Sequence, residues 1–207
     1  MSASVADYSW FRSFRRGLLD EYCLSLVKGL GPREFLARLD AKVLGACEGL
    51  GAFAARDNDV LEEHDWCDDH QVVGAARVEG PDGPWTLALE INGFTGTDGR
   101  FMEAASQGTR IVSHFLNIKG MKLFTWWEDG EMRTQFESPY QRSGTTPDEL
   151  LTEMAAVGYD LSDPSADGAV ALGIPGMIAL AQELTGIRLT AGLLTDAVYT
   201  AGMVTIA

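Results

Sequence analysis

Residues 71–94 read "QVVGAARVEGPDGPWTLALEINGF", and this stretch decides the fold class. Apolar side chains recur at a period near two, the strand repeat, and the Pro-Asp-Gly between the two runs is a turn signal. An antiparallel hairpin is predicted. On its second strand Trp85, Leu87, Leu89 and Ile91 share one face, while Thr86, Ala88, Glu90 and Asn92 share the other. Glu90 and Asn92 therefore project together just ahead of the glycine-rich "GFTGTDG". Downstream, "TRIVSHFLNI" and "MKLFTWWE" continue as strands, and "WWEDGEMRTQF" carries the Asp-Gly pair favoured in two-residue hairpin turns because both central positions need positive φ. A regular ladder then sets Trp127 against Met132, Thr125 against Thr134 and Leu123 against Phe136. On the other face it sets Trp126 against Arg133, a cation–π pair.

Residues 5–30 place Trp10, Phe11, Phe14, Leu18, Leu19, Tyr22, Leu26 and Leu30 close to an i, i+3, i+4, i+7 recurrence, which predicts an amphipathic helix broken at Gly17. A second short helix is expected at "GPREFLARLDA", with Pro32 at its first position. Between residues 41 and 70 the pattern weakens into an acidic loop plus a short helix. After the strands, Thr146 and Glu149 have capping-box spacing and Gly158 suits a left-handed cap. Further helices are expected at about 175–184 and at the end of the chain. The expectation is an α+β fold in a single domain, 1–207. Its antiparallel sheet of about five strands, a meander over 71–138, is flanked by N-terminal helices (5–40) and C-terminal helices (147–205), which cover one face.

The chain has 207 residues, with 16 Lys and Arg against 30 Asp and Glu, a net charge of −14. Such a field repels phosphate backbones and anionic membranes, so direct nucleic-acid or membrane binding is not expected, whereas a basic partner is attracted. The N-terminus has no basic region followed by an apolar core and a cleavage site, and the three cysteines, Cys23, Cys47 and Cys67, include no close pair. A reduced, cytoplasmic protein is expected. The oligomeric state is left open.

"WTLALEINGFTG", "SQGTRIVSHFLNI", "FTWWEDGEMRTQFE", "RSGTTPDELLTEM" and "LTGIRLTAGLL" together resemble an actinobacterial domain family of unknown function. That family's pattern is a Trp-x-Leu-x-x-Glu-x-Asn-Gly strand, a Ser-x-Gly-Thr segment, an Asp-Gly hairpin and a closing Leu-Thr-Gly-x-x-Leu-Thr junction. The likeness covers residues 5–30 and 71–205, leaves out 41–70, and implies no activity.

Several groups are candidates for chemistry. Gly93, Gly96 and Gly99 match neither a dinucleotide fingerprint nor a P-loop, so they read as turns, with Thr97 or Asp98 capping a helix over 100–107. Glu90 and Asn92, with Arg110, Trp126 and Arg133 on neighbouring strands, are candidate ligand- or partner-binding residues. The alternative for Glu90 is a salt bridge or a backbone contact that supports the turn. "HDWCDDH" offers His64, Cys67 and His70 as zinc ligands, but at a spacing that would not converge on an unbroken helix. The acidic run around it offers Glu62, Glu63, Asp68 and Asp69 as a docking patch. Ser106, Ser113 and His114 lack the context of a nucleophile elbow. No cofactor and no catalytic residue is expected. The sequence favours a non-enzymatic, protein-binding accessory module of immunity, inhibitor or regulator type. A small-ligand or nucleotide-binding protein using the face around Glu90, Arg110 and Trp126 is the alternative, and a metal-dependent hydrolase is third.

Overall fold

A computed structural model describes residues 3–67, 69–161 and 172–206. Among these residues nine strands form one antiparallel sheet: β1 (Tyr22–Lys28), β2 (Lys42–Glu48), β3 (His70–Gly80), β4 (Gly83–Ile91), β5 (Arg110–Leu116), β6 (Lys122–Glu128), β7 (Glu131–Phe136), β8 (Arg142–Ser143) and β9 (Val198–Thr205). Their order is β2-β9-β3-β4-β1-β5-β6-β7-β8. The β3–β4 hairpin and the β5–β7 meander lie where the sequence put them. The sheet is larger than the expected five strands because three segments read as helix or loop are strands and the two-residue β8 adds a ninth edge strand.

The first of these is β1, which inserts between β4 and β5 and so interrupts the meander. Leu26 lies between Leu87 and Val112, and Ser25 lies between Ala88 and Ser113. Six of its seven residues are buried, on both faces, so polar and apolar residues do not alternate and Leu19, Tyr22, Leu26 and Leu30 mimic a helical stripe. The helical part of 5–30 is limited to a 3₁₀ turn, Val5–Tyr8, and α1 (Phe11–Phe14), ahead of Gly17 with φ +88°. The second is β2, which occupies the start of the segment read as loop. It is followed by α3 (Gly49–Glu63), 15 residues long. The third is β9, which replaces the last part of the expected terminal helix, α7 (Ala191–Asp196) supplying the rest.

Helices cover both faces, not one. Against one side pack α1, α3, α5 (Leu151–Val157), α6 (Gly173–Thr185) and α7, burying Leu24, Leu26, Leu87, Leu89, Val112, Phe124 and Trp126. Against the other pack α2 (Pro32–Arg38) and α4 (Gly99–Ala105), burying Val27, Val73, Ala88, Ile111 and Trp127. α3 sits close because Gly74 has no side chain: a Cβ there would lie 2.7 Å from the Phe53 ring.

The Asp129-Gly130 turn has φ +54° and +81°, as expected, and Glu128 pairs with Glu131 and Trp127 with Met132. A bulge at Arg133 then shifts the register. Trp126 pairs with Thr134, Thr125 with Gln135 and Phe124 with Phe136, in place of the regular ladder. The expected capping box at Thr146 opens a turn ahead of α5, whose first residue is Leu151. Gly158 ends α5 with φ +106°, as the sequence indicated.

The buried position of β1 gives a direct test. Leu24→Ala should lower stability by about 2–5 kcal/mol in denaturant unfolding, the cost of a large-to-small change in a full core; a near-native midpoint would contradict the central placement of this strand.

Candidate functional site

The glycine turn after β4 encloses Glu90 and leaves no room for a phosphate. Glu90 is 2% exposed and accepts hydrogen bonds from the backbone N–H of Thr95 (2.8 Å) and Gly96 (3.1 Å). A Cβ on Gly93 would come within 2.4 Å of the Glu90 carboxylate, and one on Gly96 within 2.3 Å of Ser25 Oγ and 2.7 Å of Cys23 Sγ. These glycines let the backbone lie directly on the carboxylate and on small β1 side chains. Burial pushes the Glu90 carboxyl above the usual range, against the lowering effect of the Thr95 and Gly96 donors. Asp98 caps α4 by accepting from Arg100 N, one of the two caps the sequence offered.

The other predicted binding residues do not join Glu90. Trp126 is aligned through Val112 with Leu26, while Glu90 pairs with Cys23, one residue out of phase, so the two side chains leave opposite faces of the sheet. On the Trp126 side, the guanidinium carbons of Arg110 and Arg133 lie 5.1 and 5.4 Å from the indole centre. Arg110 forms two hydrogen bonds to Glu128, at 3.0 and 3.2 Å, and Arg133 pairs with Glu149 and donates to Thr146 Oγ1. Both cations are thus occupied by neighbouring carboxylates. His114 shares that side of the sheet. It is fully buried, 2.9 Å from the Tyr22 hydroxyl, and burial lowers its pKa to about 3, so the imidazole is neutral. Ser113 points to the opposite face and hydrogen-bonds Ser25 (2.7 Å), while Ser106 Oγ accepts from Gly130 N. No serine–histidine pair forms among these residues.

A cleft of about 450 Å³ opens at the end of the sheet where β3 begins and β4 stops. Glu21, Asp57, Trp66, His70, Asn92 and Phe94 are among its lining residues. A second cavity of about 270 Å³ adjoins it and shares Glu21, Asp57, Ile91 and Asn92, adding Asp20 and Ile118. Of the predicted binding residues, Asn92 alone lines these cavities, held at φ +58° in the turn.

Asp57, which the sequence places only at the start of the acidic run, is buried. Leu50, Phe53, Ala54, Asp57 and Val60 are the buried positions of α3, an i, i+3, i+4, i+7, i+10 stripe with one carboxyl in it. That stripe was the available signal, obscured because the surrounding run of acidic residues read as solvated loop. Asp57 is 4% exposed and makes no hydrogen bond or ion pair among the described residues. Burial, and then the nearby charge of Glu90, raise its pKa to about 7.

The acidic patch and the candidate zinc ligands lie beside this cleft. Glu62, Glu63 and Asp69 are exposed; Asp68 lies outside the described residues. Asp65 and Trp66 adopt positive φ and break α3, so His64 and His70 do come together, with ring centroids 4.0 Å apart and planes 26° from parallel. They stack face to face, and the Cys67 thiol donates to Asp69 (3.0 Å). No group of three His, Cys, Asp or Glu side chains among the described residues is arranged to hold a metal. No helix among them is long and apolar enough to cross a membrane.

A match to a family of unknown function, DUF6461, runs over residues 1–207. The chain belongs to that family. The DUF6461 match includes the 41–70 segment that the sequence resemblance left out, and so the helix that carries Asp57. No curated protein and no solved structure matches the chain.

Two measurements test this geometry. Glu90→Gln keeps one acceptor oxygen for two backbone donors and should cost about 1–3 kcal/mol in denaturant unfolding; an unchanged midpoint would mean that the turn is held by other contacts. Asp57 has a folded pKa near 7 against 3.8 for the unfolded group, so the folded state binds the extra proton and stability contributed by Asp57 falls as pH rises between these values. The stability of Asp57→Asn relative to the parent should therefore increase from pH 5 to pH 8, by at most about 3 kcal/mol, for the two pH units between 5 and the folded pKa of about 7. A pH-independent difference would place Asp57 in water.

Proposed function

We propose that this chain is a non-enzymatic accessory module that binds a basic partner protein in the cytoplasm, in the manner of an immunity protein, an inhibitor or a regulator. The observation that carries this reading is the composition of one end of the molecule. Exposed Leu18 (38%), Trp66 (63%) and Ile118 (70%) surround clefts lined by Asp20, Glu21 and Asp57, with Glu62, Glu63 and Asp69 on the adjoining surface. Large exposed apolar side chains set among carboxylates suit an interface with an aromatic and aliphatic centre and a charged rim. No Lys or Arg lines either cleft. The net charge of −14 acts in the same direction, drawing a cationic protein toward the surface before contact.

The cleft volume favours a second reading, a small-ligand protein, with the ligand held at Asp57 and Asn92 in place of the face around Glu90, Arg110 and Trp126. The test separates surface from cleft. Affinity capture from the native host with the parent chain should recover a partner whose association slows at least about tenfold in Glu62→Lys/Glu63→Lys/Asp69→Lys, because rim charges act mainly on encounter rate. Equal association of the same partner with both proteins would overturn the docking surface.

A further inference from the structure

The buried carboxyl of α3 has a chemistry that its neighbours do not use. An ionised carboxylate with no partner is costly to bury, and Asp57 is 4% exposed while lining both adjoining cavities. Its surroundings identify what would complete it. Glu21 lines the same two cavities, its Oε2 accepting from Ile118 N, and Asp20 adds a third carboxyl in the smaller one. An anionic ligand is therefore repelled. Leu61 and Ile91 give the lining apolar side chains, and Trp66 and Phe94 give it aromatic ones. His70, also in the lining, has a buried Nδ1 with no hydrogen-bond partner among the described residues. A metal ion is poorly served, since no three such groups converge among the described residues.

We propose that the Asp57 cleft binds the cationic end of an alkyl chain, an ammonium or guanidinium group, with Asp57 as its counter-ion, Leu61 and Ile91 against the methylene stem, and Trp66 and Phe94 beside the charge. This rests on the binding-module reading and specifies the chemistry of its pocket. Lysine and arginine side chains bury their stems on apolar surface in this way, and aromatic faces attract their charged ends. The cation also supplies what desolvation withholds from Asp57, a stabilised ionised state. Binding strengthens as pH rises through the range in which Asp57 loses its proton, near 7, with Glu90 behind it on β4 and Glu21, Asp20 and His70 facing it from the other walls.

Isothermal titration of the full chain with N-acetyl-arginine amide, N-acetyl-lysine amide and putrescine, at pH 8 and pH 6, tests the proposal. Saturable one-site binding is expected for at least one probe, weaker at pH 6 and reduced about ten- to hundredfold by Asp57→Asn at pH 8, the range for losing a charge-assisted contact. Asp82→Asn, the same charge change in the turn at the far end of the β3–β4 hairpin, should bind as the parent does. Preference for the blocked amino acids identifies a partner's side chain as the natural occupant, and preference for putrescine identifies a free polyamine. Absence of saturable binding, or equal affinity in Asp57→Asn, overturns the proposal. If the probes fail while the rim variant still loses its protein partner, the cleft inference falls and the module reading stands. If the probes bind while rim reversal changes nothing, the cleft stands and the docking surface falls.

Discussion

Water has to be removed from both faces of the same sheet, and the placement of nearly every element follows from that. β1 has no wet side: Tyr22, Leu24 and Leu26 meet the helices on one face, and Cys23, Ser25 and Val27 meet the opposite layer. The two layers differ in size. Five helices can stack over the first because large side chains fill the gap, whereas α2 and α4 cover the second together with the glycine turn lying on Cys23, Ser25 and Ser113. Small residues on one face of β1 and β5 are what allow a backbone turn to reach the sheet at all. Glu90 then satisfies two N–H groups that this approach would otherwise strand.

Much of the fold was legible where one side of a strand is chemically distinct from the other. The β3–β4 hairpin, β5, β6 and the Asp129-Gly130 turn were readable because alternation or turn chemistry is local. β1 was not: Tyr22 and Leu26, with Leu19 and Leu30, also recur at helical spacing, and burial on both faces, which β4 and β5 share, leaves no polar alternation to outweigh that stripe. β2 and β9 were hidden for a different reason: β2 is partly exposed and its glycine and alanine residues carry little pattern, and its partner is at least 150 positions away in the chain. Strand pairing at that separation has no local signature.

The candidate site divides along the same line. Glu90 and Asn92 were read as a pair from strand parity, but β4 ends at Ile91 and Asn92 takes a positive φ, so Glu90 turns inward to the loop while Asn92 lines the cleft. Grouping Glu90 with Trp126 required knowing which face of β1 lay between them, information that the sequence of β4 and β6 does not contain. Asp57 was accessible in principle through the apolar stripe of α3. Its signal was a charge out of place, visible only once the helix is granted its full 15 residues.

The neutral imidazole of His114 and the raised carboxyl of Asp57 act on the same quantity with opposite sign. With a folded pKa of about 3 against 6.5, His114 makes the unfolded chain the greater proton acceptor between those values, so its contribution to stability rises with pH there. Asp57 makes the folded chain the greater acceptor between 3.8 and about 7, so its contribution falls. From about pH 4 to about 6.5 the two linkages offset each other, roughly one proton against one. These two residues, on the same side of the sheet but in separate packing environments, work as a compensating couple, so that across that range their summed contribution to stability stays nearly level.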